Sequence, residues 1–350
     1  MNAVRLIKTG SSHRCVSWNY AIAATSPSTI TAQRDIHDNQ LSQSCKRYLS
    51  TERRQKKALV IGSSGALGSA VCQHLSEDLQ MKVLGADIVQ RKSNKPNLDG
   101  FIKLDEKSEL PELTHDLVIG VHNYLKAIEG VQGIYSEDGD DLSGLDCVVV
   151  ASGGWEGDPP MEPVDKKSLL PQEQQDFLSD AVHSYTDTVM RMRKMNLDPV
   201  VAASFVAQHM CTDESPLMVV MGAMAAVSPA PGMMGYGLAK SATHYMVQTM
   251  GAMNGNRLEN RALRKRGFGA KPPHLFPFVS VVGLLPTTID TPSNRKAMPN
   301  GKFEQWTKPR DIALEIGKWV ERPPERPASG SLVRVFSRPG EEGAELELVY

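Results

Sequence analysis

Apolar residues recur along this 350-residue chain in two patterns. One is short and unbroken, at residues 58–61, 82–86, 147–150, 217–221 and 276–285. Continuous apolar runs bounded by glycine, proline or polar residues read as strands buried on both faces. The other pattern repeats every three or four residues, as in Leu67, Val71, Leu75 and Leu79. It predicts helices over 66–79, 110–130, 177–197, on from Asp198-Pro199 to Met210, from about Gly235 onward, and near 311–320. A last strand is predicted over 331–336. Strands and helices that alternate in this way predict one α/β domain, doubly wound, with a mainly parallel sheet and helices on both faces.

The leader does not follow these patterns. Residues 1–55 hold eight basic and three acidic side chains, and no acid precedes Asp35. An Arg-bearing, Ser-rich, acid-poor leader has the composition of a mitochondrial transit peptide, with Arg47-Tyr48-Leu49-Ser50-Thr51 placed like a processing site. The competing expectation is a disordered cytosolic tail. The chain therefore divides at residues 1–55 and 56–350, with mitochondrial localisation expected from the leader and cytoplasmic as the alternative.

Bulk composition narrows the function classes. The formal net charge is -1, which gives no electrostatic case for nucleic acid or an anionic membrane as partner. No apolar run reaches the ~18 to 20 residues that span a bilayer. The five cysteines stand apart, with no C-x-x-C pair and no Cys/His grouping at metal spacing, so no metal is expected. Three of them read as small core residues. The acidic turn at 136–141 lacks the spacing of a calcium loop, and the basic stretch 257–271 reads as a solvated insert.

Chemistry concentrates at strand ends. After the first run comes Gly62-Ser63-Ser64-Gly65-Ala66-Leu67-Gly68, a strand, a glycine turn and a helix start. Glycines let the backbone turn tightly against a pyrophosphate, which the first helix N–H groups then hold. Asp87 ends the next strand, twenty-five residues after Gly62. A carboxylate there accepts hydrogen bonds from an adenosine ribose and repels a 2′-phosphate, so the expected cofactor is NADH, with NADPH less favoured. Arg91 and Lys92 stand close enough in sequence to blunt that preference. The fourth strand ends in Ala151-Ser152-Gly153-Gly154, small residues against which a nicotinamide ribose can lie. Trp155 follows, as a plug at the edge of the core or as one wall of a flat substrate's pocket. The proline-rich, acidic stretch 156–172 reads as a flap. Asn196 stands at a helix C-terminus or holds a site water.

Tyr236 and Lys240 lie four apart at the mouth of the helix that follows the Pro/Gly-rich loop. That spacing puts phenol and ammonium on one face. Such a pair alone is common on helices; its weight comes from the motifs upstream. Taken in order, GSSGALGS, VASGGWEG, PGMMGYGLAK, LLPTTIDTPSNRKAMP and ASGSLVRV resemble the short-chain dehydrogenase/reductase family, and most closely its dihydropteridine reductase branch, from about Lys57 to the C-terminus. The resemblance implies a Rossmann-type fold and hydride transfer from NADH to a quinonoid dihydropterin. It implies Tyr236 as proton donor, with Lys240 holding the nicotinamide ribose and steadying a phenolate. It also implies cofactor contacts at Gly62, Ser64, Gly65, Ala66, Leu67, Gly68, Asp87, Ala151, Gly153, Gly154, Lys240, Pro286 and Thr291, a pterin against Trp155, and a homodimer packed through the Met- and Ala-rich helices. The broad family's serine would stand at position 223, which is Ala; Ser228 is its nearest substitute. A reductase of another conjugated carbonyl or quinone, and an NADH-binding protein without turnover, are the competing expectations.

Overall fold

In the computed structural model the described residues are 54–90, 98–129, 144–159, 171–212, 215–254, 279–338 and 343–349. The unit Gln55–Tyr350 carries one eight-stranded sheet. Its strands are β1 (Lys57–Ile61), β2 (Lys82–Asp87), β3 (Gly100–Lys103), β4 (Cys147–Val150), β5 (Leu217–Met221), β6 (Ser280–Pro286), β7 (Leu332–Phe336) and β8 (Glu345–Leu348). Their order is β3-β2-β1-β4-β5-β6-β7-β8. All neighbours pair in parallel except β7 and β8, which are antiparallel. Strand order reverses between β1 and β4, so the crevice of this doubly wound sheet opens beyond the carboxyl ends of those two strands.

The apolar runs become strands because both of their faces are covered. Leu59, Ile61, Val148, Val150, Met218 and Val220 point to one side, where α2 (Leu110–Glu129), α4 (Asp198–Met210) and α5 (Met234–Asn254) bury them. Ala58, Val60, Cys147, Val149, Leu217 and Val219 point to the other, against α1 (Ala66–Gln73) and α7 (Pro309–Glu321). Each fully buried Leu, Val or Ile contributes roughly 1.5 to 3 kcal/mol. The described residues also include the helix α3 (Pro171–Asn196) and the short α6 (Pro292–Ala297).

The predicted helix over 66–79 runs as α1 and then a single π turn, His74–Asp78, where Leu79 N–H donates to His74 O. The break at Asp198-Pro199 is present: α3 stops at Asn196, and α4 restarts with proline in its first turn, where no N–H is missed. Cys72 and Cys147 are buried and Cys211 is partly exposed. Two strands escaped the sequence pattern. β3 is four residues long and half-buried, and β8 is an exposed antiparallel edge, so neither makes an apolar run. The acidic turn, the basic stretch 257–271 and most of the expected flap lie outside the described residues. Among those described, no helix is long and apolar enough to cross a membrane, and no His, Cys, Asp and Glu side chains group as a metal site.

Candidate active site

The crevice has two halves, one built by the turn after β1 and one by the ends of β4 and β5 with α5. In the first, Gly62 has a φ of +83°, and a β-carbon there would stand 2.5 Å from the amide nitrogen of Ser152. At Gly68 a β-carbon would stand 2.0 Å from Gly62 O. Only glycine lets turn, helix and strand approach this closely. Gly62 and Ser63 N–H both donate to Ala86 O, at 2.8 and 3.3 Å, and Gly65 N–H donates to Gly62 O at 3.1 Å. Gly65 caps α1 without any side-chain hydrogen bond, leaving the N–H groups of Ala66 and Leu67 directed out of the helix. An uncapped helix start above a glycine turn suits the pyrophosphate of a dinucleotide.

Asp87 closes this half. One carboxylate oxygen accepts from Ser64 N–H at 2.8 Å and the other from Val89 N–H at 3.2 Å, so the charge is fixed at the rim of the turn. Ser64 Oγ donates to Val89 O, which ties the tip of β2 to the turn once more. Arg91 and Lys92 lie outside the described residues.

The second half is assembled from distant segments. Ala151 N–H donates to Ile61 O at 2.9 Å, which continues the β1 ladder past β4. Gly153 has a φ of +145°, and a β-carbon on it would lie 2.8 Å from Asn196 Oδ1 and 3.3 Å from Lys240 Nζ. Gly154 is held by the Asn196 side chain on both sides: Nδ2 donates to its carbonyl at 2.9 Å, and its N–H donates to Oδ1 at 3.3 Å. Asn196, only 1% exposed, is thus both the last residue of α3 and a clamp on the strand end. Pro286 ends β6 beyond the same sheet edge, and Thr291 caps α6 by accepting from Asn294 N–H at 3.2 Å.

Helix α5 brings Tyr236, Lys240 and His244 up under β5, one turn apart. Lys240 Nζ donates to Met221 O at 2.7 Å and lies 6.0 Å from the Tyr236 ring centre. Burial pulls the Lys240 ammonium down to about 8 and pushes the Tyr236 phenol up to about 12. The ammonium is engaged by a carbonyl, and desolvation dominates at the ring. At neutral pH Tyr236 is a protonated acid.

His244 was not singled out from sequence, although it continues the four-residue spacing of Tyr236 and Lys240. Its Nε2 accepts from Ala223 N–H at 3.1 Å, and burial first, then the charge of Lys240, hold its pKa at about 4. The Ala223 carbonyl accepts from Ala226 N–H at 3.1 Å. Residue 223 therefore presents a methyl group with both backbone groups engaged. Ser228 is exposed on the following loop. Trp155, 47% exposed, does not plug the core, and its indole N–H points to Met233 Sδ at 2.8 Å.

Comparison with known proteins bears on this arrangement. A dihydropteridine reductase of Dictyostelium discoideum is 26% identical over 279 residues, spanning 80% of this chain and 94% of that protein. The chain resembles dihydropteridine reductase. Solved structures share its fold: aldohexose dehydrogenase of Thermoplasma acidophilum matches with a TM-score of 0.50 at 16% identity, over 80% of this chain and 92% of that one. A short-chain dehydrogenase of Shigella flexneri, solved with NADP, matches with a TM-score of 0.51 at 14% identity, over 80% of this chain and 96% of that one. The sheet order and the likenesses together give the fold of the short-chain dehydrogenases/reductases. No family model matches the chain.

Proposed function

We propose that this protein is an NAD(P)H-dependent oxidoreductase and that it reduces a quinonoid dihydropterin to the tetrahydropterin, with NADH as the preferred donor. The observation that carries the reading is the pairing of a half-buried Tyr236 and a buried Lys240 with a residue 223 that offers no hydrogen bond to an acceptor. A simple carbonyl needs a donor to polarise it before it accepts hydride. A quinonoid pterin is already electron-poor through conjugation and needs only alignment and one proton. The resemblance to the Dictyostelium protein points the same way.

Each turnover adds one hydride and one proton to the acceptor. Bound NADH supplies the hydride. Gly62, Gly65 and the uncapped start of α1 would hold its pyrophosphate, Asp87 its adenosine ribose, and Lys240 its nicotinamide ribose. Tyr236 gives the proton from its phenol and is reprotonated from solvent. Trp155, on the strand end clamped by Asn196, provides a flat wall for the pterin.

The test is NADH oxidation by the full chain with freshly generated quinonoid dihydropterin, with NADPH and Tyr236→Phe in parallel. Turnover that favours NADH and falls by about 10²- to 10⁴-fold in the variant is expected. Activity on other conjugated carbonyls or quinones but not on pterins would transfer the scaffold to a different acceptor. Tight NADH binding without turnover of any acceptor would make the chain a cofactor binder.

The same reading includes a homodimer. Val182, Tyr185 and Met190 on α3 and Leu238, Tyr245 and Met253 on α5 are exposed apolar side chains on two adjacent helices, a surface suited to a helical bundle with a second copy. Light scattering at micromolar concentration should give twice the chain mass.

A further inference from the structure

The loop after β4 is fastened at both of its described ends, and one of its side chains reaches the helix that bears Tyr236. Asp158 Oδ2 accepts from Met234 N–H at 2.8 Å, and Oδ1 accepts from Gly235 N–H at 3.4 Å. Its own N–H donates to Gly232 O at 2.8 Å. This is a reciprocal cap of α5, supplied from 76 residues upstream and carrying a negative charge at the positive end of the helix. At the other end of the loop, Asn196 grips Gly154, and Arg191 makes a two-pronged pair with Glu156 at 2.9 and 3.1 Å. Trp155 stands between these anchors, and Tyr236 stands two residues beyond the capped amide of Met234.

We propose that Asp158 is a positioning residue that sets the spacing between Trp155 and Tyr236, and through it the slot in which the acceptor stacks. The proposal rests on the assignment of Trp155 and Tyr236 to the acceptor pocket. Helix α5 is fixed at its far side by Lys240 on Met221 O and His244 on Ala223 N–H, so its register under β5 does not depend on Asp158. What the cap controls is the first turn. Losing it frees two amides and leaves the loop joined to the residues before the helix by the Asp158 N–H on Gly232 O and the Trp155 indole on Met233 Sδ, so the first turn of α5 loosens against the loop, whereas the cofactor half of the crevice keeps every contact.

The experiment compares Asp158→Ala and Asp158→Asn with the wild-type full chain. Asparagine keeps an oxygen that can cap; alanine does not. Asp158→Ala should lower kcat/KM for the pterin by about tenfold or more, with the NADH Kd unchanged, since small misplacement of a reacting group is costly. Asp158→Asn should restore most of it. Hydrogen exchange provides a readout that needs no acceptor: in Asp158→Ala the amides of 234–238 and of the loop 153–158 should both exchange faster, and the β1–α1 turn should not. If wild-type protein reduces no pterin but the two segments still loosen together, the substrate assignment fails and the coupling stands. Pterin turnover in Asp158→Ala within about twofold of wild type would overturn the proposal. So would a loss of turnover in Asp158→Asn of about tenfold or more relative to wild type, and this arm decides the matter if Asp158→Ala does not fold.

Discussion

The two halves of the crevice are built by opposite means. The half assigned to the cofactor is one contiguous stretch, β1, glycine turn, α1 and β2, in which backbone lines the turn and Asp87 is the side chain held at its rim. A β-carbon at Gly62 or Gly68 would meet backbone atoms at 2.5 and 2.0 Å. The half assigned to the chemistry gathers Gly153, Asn196, Ala223, Tyr236, Lys240 and His244 from four segments, and side chains hold it together. A backbone site tolerates almost no substitution but costs little to fold. A site of buried polar side chains stores desolvation energy that the fold must offset.

That contrast can be broken most forcefully at Gly62. Gly62→Ala places a side chain at positive φ against the amide of Ser152, and should cost about 2 to 4 kcal/mol of stability and most NADH affinity. Chemical denaturation and a cofactor titration measure both. Stability within error of wild type would show that the turn can open without loss.

Lys240→Met should act in the opposite sense on stability. The buried ammonium has its pKa drawn down from 10.5 to about 8, so the native state carries the full penalty below about pH 8. Removing the charge relieves it, while the hydrogen bond to Met221 O is lost. A net gain of about 2 kcal/mol at pH 7 is expected, together with loss of turnover. Because the folded pKa lies below the unfolded one, wild-type stability should also climb between about pH 8 and 10.5, and this rise should vanish in the variant. A variant less stable than wild type at pH 7 would show that the carbonyl bond outweighs the desolvation.

The smallest effect is expected at His244. Its folded pKa of about 4 lies below the ordinary 6.5, so it is neutral in the fold and its Nε2 is free to accept from Ala223. Its contribution is complete above pH 6.5 and is lost as pH falls toward 4, because the unfolded chain takes up the proton first. The stability gap between wild type and His244→Gln should narrow by about 1.5 kcal/mol between pH 6.5 and 5. Parallel pH curves would remove the histidine from the account.

Local physics made one half of the site legible and hid much of the other. Glycines at 62, 65 and 68 between an apolar run and a helical period announce a βα turn, because few other functions demand three absent side chains at that spacing. Tyr236 and Lys240 were visible as one helical face, but where that face points was not. Asn196 shows why: as a helix terminus it is unremarkable, and only the packing of α3 against the β4 end brings its amide onto Gly154. The same holds for Asp158, in a loop with no pattern, and for Trp155, whose exposure could not be read from its neighbours.

The parallel sheet, the order of its helices and the backbone cradle follow from residue types next to one another, in which burial on both faces and steric exclusion are written. Tertiary structure alone decided that Lys240 faces a carbonyl, that His244 occupies the amide of residue 223, and that Asp158 caps α5. Those outcomes depend on which distant segments share a low-dielectric space, where the cost of an unpaired polar atom selects the partner, and no spacing along the chain encodes that choice.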